Sequence, residues 1–450
     1  MKVSMCRLLP AVPGILLVLL LSSLAAVGQE CVVNLLPGAP LQEAVDSVQS
    51  GGVICLSPGD YTGPLTISKS LTLRGSGENS DQVRIIGTNQ QTTTILVRSS
   101  EHLDLSLENL SVEGNSTSVL VVEADASIVL DRVHIAKAMG GSGLLMIAPG
   151  SITAADCLFS GCTSPTIRDL DTCNIEPSNG VAISAPCRAV FERCAFRGNG
   201  TGANVADECD VDFRDCEFTD NRRYGLFAGH AVKVRAERCV ISRNKCAGFS
   251  SFSGPGFIEF SDCIFADNIG NAIHAGWLGE TPSSNPFSTV LTMRGCQILR
   301  NGGGVILMGR AEMIAADVET SGSGSSAIYA EGSAKLELTR CRIMANGGSG
   351  LDLTGASRLA CADCLIADNK GDGLYLEEKA LLDVRDTKIL RNVGRGIALA
   401  GRECTPWVAP SHWFAGEVTG DGNVIPGRFV TDGNGQGSIC PGSLEFLRDY

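Results

Sequence analysis

A repeat of about 23 residues constrains this chain more than any other feature. The segments FERCAFRGNG (191–200), FRDCEFTDN (213–221), AERCVISRN (236–244), FSDCIFADN (260–268), MRGCQILRN (293–301), LTRCRIMAN (338–346), CADCLIADN (361–369) and VRDTKILRN (384–392) share one pattern. Cysteine falls at 194, 216, 239, 263, 296, 341 and 364, and Thr387 takes the last slot, so the steps are 22, 23, 24, 33, 45, 23 and 23 residues. The step of 45 holds a weaker unit, IAADVETSG (314–322), with Asp317 in the cysteine slot. The step of 33 holds an insertion, 277–288. Five residues after each slot stands an asparagine: Asn199, Asn221, Asn244, Asn268, Asn301, Asn346, Asn369 and Asn392, with Asn115 at the matching place in LENLSVEGN.

Within a unit, apolar and polar residues alternate as in half-buried strands: Leu336, Leu338, Cys341 and Ile343 stand against Glu337, Thr339 and Arg342. A unit of this length is too long for a hairpin and too short for a βαβ crossover. Wound as one turn of a solenoid, it pairs each strand with its copies above and below. A dozen coils at about 4.8 Å make a rod roughly 55–60 Å long. The asparagines are expected at corners, where they tolerate left-handed backbone, and stacked as a ladder of hydrogen-bonded amides. Glycine at 53 residues and aromatics at 5% suit short strands and tight turns, and 44% hydrophobic residues suffice for a core.

Residues 1–28 read as a signal peptide: Lys2 and Arg7, then the apolar run Ile15–Leu21, then Ala26-Val27-Gly28. No later segment is apolar for long enough to span a bilayer. Export to a secreted, periplasmic or cell-surface location is therefore expected. Residues 29–52 are expected to cap the rod, with Leu41, Ala44, Val45 and Val48 at helical spacing. The solenoid is expected over 53–400 and an irregular cap over 401–450. A net charge of −13 without a basic run argues against a nucleic-acid partner.

Nineteen cysteines in an exported chain raise the question of disulfides. The repeat cysteines are expected to be buried free thiols, since in-register neighbours hold their Cβ atoms near the coil spacing, beyond the bridged distance. Cys31 and Cys55 near the N-terminal cap and Cys404 and Cys440 in the C-terminal segment are better candidates, as are Cys162, Cys173, Cys187 and Cys209 around the interruption at 158–187, and the sequence leaves their connectivity open. Cys361-Ala-Asp-Cys364 falls within a strand of the repeat, so no metal is expected there. Asp421-Gly-Asn423 and Asp432-Gly-Asn434 read as turns rather than calcium ligands, and no cofactor is expected.

The stretch GGVICLSPGDYTGPLTISKSLTLRGSG (51–77), followed by the repeats, resembles the opening of pectate-lyase-like β-helix proteins, including the periplasmic carbohydrate-binding and sugar-hydrolase (CASH) type. The resemblance covers roughly residues 38–400. It implies an all-β, single-stranded right-handed parallel β-helix solenoid. It selects no activity, because the fold hosts lyases, hydrolases, esterases, epimerases and non-enzymes. The paired aspartates with Gly-His-Gly of polygalacturonases, the methylesterase signatures and the Asp-Pro-His of alginate epimerases are all absent here.

The outward residue of the strand after each asparagine recurs once per coil: Phe227, Ser250, His274, Ile306, Tyr329, Asp352, Tyr375 and Ala398. These are expected to form a vertical stripe, walled by the loop that carries Trp277 and Glu280. Phe227, His274, Tyr329, Asp352, Tyr375 and Trp277 are the candidate glycan-binding residues. The expected function is an elongated carbohydrate-binding face for a polysaccharide or cell-surface glycan. One alternative is a polysaccharide lyase, hydrolase or epimerase on an acidic glycan, with His274 or His230 as base and Arg222, Arg223 or Arg310 neutralising the uronate. The other is a structural or adhesive rod.

Overall fold

The computed structural model describes residues 30–88, 93–114, 117–164, 178–251, 256–276, 289–401, 403–405, 407–425 and 433–447. The expected signal segment, Asn115, Cys173, Trp277, Glu280 and Asp432 lie outside these residues. Every strand pairs in parallel with its copy about one repeat later, and the strands stack into three sheets of 16, 15 and 14. One coil contributes Val232–Glu237 to the first, Val240–Ser242 to the second and Ala247–Ser251 to the third. These are called sheets A, B and C.

Sixteen strands at about 4.8 Å make a rod of roughly 70 Å, longer than a dozen coils would give. The extra coils precede residue 187, where sheet A already contains Gly52–Leu56, Leu71–Gly75, Leu103–Glu108, Ala126–Asp131 and Gly150–Ala155. Buried Leu110 and Val133 hide the repeat there, because either fills the cysteine slot equally well. The expected N-terminal helix is present as Leu41–Ser47, with Leu41, Ala44 and Val45 buried. At the other end Glu417–Thr419 and Gly437–Cys440 still pair with sheets A and C, so regular pairing extends past residue 400.

The core is built of columns. Phe159, Phe196 and Phe218 stack through successive coils with ring centroids 5.1 and 4.6 Å apart. Full burial of each phenylalanine contributes about 1.5–3 kcal/mol. The slot cysteines 194, 216, 239, 263, 296, 341 and 364 are buried and unbridged, and Thr387 continues their column. Each thiol donates to the carbonyl two residues before it, as Cys194 does to Glu192 at 3.3 Å and Cys216 to Arg214 at 3.3 Å.

Asp317 is not in this column. Ala316 pairs with Thr339, which puts Val318 in the slot and turns Asp317 outward onto Arg340. A slip of one residue exchanges core and solvent faces, and only the valine suits the core. Cys162, Cys187 and Cys209, expected to be bridged, are free and buried. They occupy inward positions like the repeat thiols, and Cys209 donates to the Ala185 carbonyl at 3.0 Å. Burial pushes Cys162 and Cys209 up to about 11 and Cys187 up to about 12, so all three remain neutral thiols. Disulfides join Cys31 to Cys55 and Cys404 to Cys440, each with Cα atoms 5.7 Å apart, and Cys246 is also disulfide-bonded.

The asparagine ladder is present, with one correction to its geometry. Asn221 Nδ2 donates to Asn244 Oδ1 at 2.8 Å, Asn244 to Asn268 at 2.9 Å and Asn268 to Asn301 at 2.8 Å. A second run joins Asn346, Asn369 and Asn392 and continues to Asn434 at 3.0 Å. The left-handed residue is not the asparagine but the one before it: Asp220, Arg243, Asp267, Arg300, Ala345, Asp368 and Arg391 have φ of 51–59°. That corner aims the asparagine inward, where its amide satisfies backbone groups of both neighbouring coils. Glycine follows because the amides fill the space: a Cβ on Gly225 would lie 2.7 Å from Gly248 O and 2.9 Å from Asn244 Nδ2.

Candidate functional site on sheet C

The expected stripe is in register throughout. Phe227 pairs with Ser250, Ser250 with His274, His274 with Ile306, Ile306 with Tyr329, Tyr329 with Asp352, Asp352 with Tyr375 and Tyr375 with Ala398. It is not open along its whole length. Ser250 is fully buried and Ala398 is 2% exposed, the latter under the C-terminal segment, where it pairs with Cys440. The stripe therefore divides. Phe227 belongs to a small cluster with Tyr224, Cys246 and Ala247, and the half-exposed section runs from His274 to Tyr375.

Tyr329, Asp352 and Tyr375 occupy three successive coils of that section. Each tyrosine donates its hydroxyl to the glutamate two residues on, Tyr329 to Glu331 Oε2 at 2.9 Å and Tyr375 to Glu377 Oε1 at 2.8 Å. Those bonds anchor the hydroxyl end of each ring. Burial, reinforced by the adjacent glutamate, raises both phenols above their ordinary value, so they stay protonated. Between them, Ser326 donates to Asp352 Oδ2 at 2.5 Å, while Oδ1 is buried with no partner among the described residues. Burial pushes the Asp352 carboxyl up, against the opposing bonds from Ser326 and Ser349. Burial likewise raises Asp372. Across the C-terminal segment His412 Nδ1 lies 2.8 Å from Glu378 Oε1.

The candidates for uronate chemistry do not converge. His274 is half-buried, with Nε2 3.5 Å from Met308 Sδ, and burial holds its pKa down, so the ring is neutral at neutral pH. Arg222 and Arg223 precede their sheet C strand, Tyr224–Ala228, whereas Arg310 follows Gly303–Leu307. These cations therefore sit on opposite edges of a parallel sheet. The Arg223 guanidinium stands over the Tyr224 ring, 4.6 Å from its centroid. His230 is exposed in the turn after Tyr224–Ala228, three coils and roughly 14 Å along the rod from Arg310. Sequence reading missed Glu331, Glu377 and Ser326. The signal was the spacing Tyr-x-Glu, which appears twice, 46 residues apart.

A family model described as a right-handed beta helix region matches residues 164–285 and 281–408. The chain belongs to the right-handed β-helix family. No curated protein matches it in sequence. Among solved structures this family member is similar to pectate lyase Pel9A, with 14% identity over 66% of this chain and 78% of that one and a TM-score of 0.41. It is similar to the periplasmic alginate epimerase AlgG, with 10% identity over 84% of each chain and a TM-score of 0.45. A third is the catalytic unit of a GH87 alpha-1,3-glucanase from Streptomyces thermodiastaticus, with 14% identity over 85% of this chain and 65% of that one and a TM-score of 0.44. Among the described residues no helix is long and apolar enough to cross a membrane.

Proposed function

We propose that this β-helix is an exported glycan-binding rod whose contact face is the section of sheet C around Tyr329, Asp352 and Tyr375. The observation that carries the reading is the in-register sequence of phenol, carboxyl and phenol on three adjacent coils. Two aromatic rings held by glutamates offer apolar platforms to sugar rings, with the glutamates as polar acceptors at their rims. Pockets that hold small molecules combine apolar walls with a few placed polar groups in this way. Glu331 and Glu377, bonded to the two phenols, repel a uronate carboxylate. The expected ligand is therefore a neutral, hydroxyl-rich polysaccharide rather than an acidic one.

Electrophoresis through gels containing neutral polysaccharides (β-glucan, xylan, galactomannan) or acidic ones (polygalacturonate, alginate) tests this. Retardation is expected in at least one neutral gel, and Tyr329→Ala with Tyr375→Ala should weaken it at least about tenfold, or 1.4 kcal/mol. Retardation by acidic gels alone, or binding unchanged in the double variant, would remove the reading.

A hydrolytic reading rests on a separate observation. Burial raises the Asp352 carboxyl, which suits it to donate a proton to a leaving group, and Glu331 and Glu377 stand nearby as hydrogen-bond acceptors. Release of reducing ends from a bound glycan, abolished in Asp352→Asn, supports it; binding without release excludes it.

A further inference from the structure

Away from sheet C, three side chains on the flank of sheet B stand in series. His134 begins the strand His134–Ala136. Its Nδ1 lies 3.1 Å from Asp81 Oδ1, and its Nε2 lies 2.8 Å from Ser160 Oγ. Ser111 donates to the same Asp81 oxygen at 3.1 Å. Asp81 is carried on the single 3-10 turn Ser80–Gln82, where its backbone N–H donates to the Asn79 side chain. Parallel stacking assembles the group: His134 pairs with Ser111 of the preceding coil, and Ala136 pairs with Ser160 of the next. The three residues are 53 and 26 positions apart in sequence, so no local motif announces them.

The geometry assigns roles. A carboxylate on Nδ1 keeps the ring proton there and leaves Nε2 free to accept the serine proton. The hydrogen bond with His134 holds the Asp81 carboxyl below its ordinary value, so the carboxylate stays charged. His102 provides an internal contrast. Its Nδ1 lies 3.0 Å from Asp125 Oδ1 and its Nε2 3.1 Å from Ser127 Oγ, but Asp104 Oδ1 also stands 3.5 Å from Nε2. Carboxylates at both nitrogens, with the Asp125 bond foremost, raise its pKa and favour the imidazolium, which is no base. Among the described residues His134 has one ion-pair partner, on Nδ1, and its side chain is 20% exposed against 49% for His102.

We propose that Ser160, His134 and Asp81 form a second site that cleaves carboxylic esters by acyl transfer. Ser160 Oγ bonds to the acyl carbon as its proton passes to His134 Nε2. The bond from that carbon to the alcohol oxygen breaks, and the alkoxide leaves with the proton. Water, losing a proton to the same Nε2, attacks the acyl-serine, and the Ser160 hydroxyl is restored as the acid departs. Arg197 pairs in register with Ser160 on the next coil, where its guanidinium is held by Thr219 at 3.3 Å and Glu217 at 3.0 Å on the far side from the nucleophile. The Asp81 side chain is 74% exposed, so solvent screens its charge. That modest activation suits the alkoxide leaving group of an ester rather than the amine of an amide.

This site stands independently of the glycan reading on sheet C. A fluorophosphonate probe with peptide mapping, together with hydrolysis of p-nitrophenyl acetate, tests it on the full chain. The expected result is covalent label on Ser160, lost in Ser160→Ala, slowed at least about 100-fold in His134→Ala and His134→Gln, and unchanged in His102→Ala. Circular dichroism and melting of each variant establish that it is folded. Absence of label on Ser160 in the unaltered protein, an equal labelling rate in folded His134→Gln, or undiminished ester hydrolysis in Ser160→Ala would each overturn the assignment.

Discussion

Asn244 shows how much one side chain settles in this fold. Its Oδ1 accepts from Asn221 Nδ2 and from the Asn221 backbone N–H, and its Nδ2 donates to Phe218 O and Asn268 Oδ1. All of this is buried, so Asn244→Ala strands groups on two coils and should cost about 3 kcal/mol in a denaturant titration. The ladder breaks at Ser323, whose N–H donates to Asn346 Oδ1 while its own buried hydroxyl has no partner among the described residues. Ser323→Asn should join the two runs and gain about 1 kcal/mol by the same measurement. Asp352 carries a pH signature. Its folded pKa is raised, so between the ordinary carboxylate value and the raised one the folded state holds more protons than the unfolded state, and stability falls as pH rises through that window. Melting temperatures of Asp352→Asn and the unaltered protein should therefore converge at low pH, with the variant higher at neutral pH. The asparagines and the outward stripe were legible in the sequence because both recur at a fixed period. Asp81, His134 and Ser160 were not, because their alignment depends on where the unmarked early coils begin.

The element that the sequence places one residue off is the left-handed corner. The residue before each slot cysteine and the residue before each asparagine take left-handed backbone, at Asp215, Arg238 and Asp262 in one column and Asp220, Arg243 and Asp267 in the other. Left-handed arginine is unfavourable by about 1–2 kcal/mol, yet it recurs. All but Arg132, which bonds its own neighbour Asp131, fork onto the aspartate one coil below: Arg193 Nε and Nη2 onto Asp156 at 2.7 and 2.9 Å, and Arg391 onto Asp368 at 2.7 and 2.7 Å. Bidentate pairs of this kind fix geometry as well as charge. The alternation was present in the quoted units, as RDC then ERC and TDN then SRN. It escaped notice because charged residues beside a slot look like ordinary surface. The same columns correct the register at Asp317. Val318→Asp should destabilise by more than about 3 kcal/mol, since it buries an unpaired charge. Asp317→Asn, exposed and tolerant of left-handed backbone, should barely move the midpoint.

As a whole the molecule is close to one-dimensional, each coil touching its neighbours, so the ends decide where unfolding starts. The N-terminal end is covered by the helix Leu41–Ser47 and clasped by Cys31–Cys55. The C-terminal end depends on Cys404–Cys440. Cys440→Ser removes a closure worth about 4 kcal/mol by loop entropy. Hydrogen exchange should then lose protection at Gly437–Cys440 and Arg395–Leu399 while Val232–Glu237 keeps it. Composition and period revealed the solenoid. The number of coils and the partial covering of the stripe were hidden, because they depend on segments that depart from the repeat. The central claim is that stacking in register brings Tyr329 and Tyr375, 46 residues apart, onto one glycan-contacting face. Hydroxyl-radical footprinting with and without a neutral polysaccharide that retards the protein tests it most directly. The account predicts that both tyrosines are shielded together while Phe257 on sheet A stays reactive. Shielding of Phe257 with both tyrosines unchanged would contradict it.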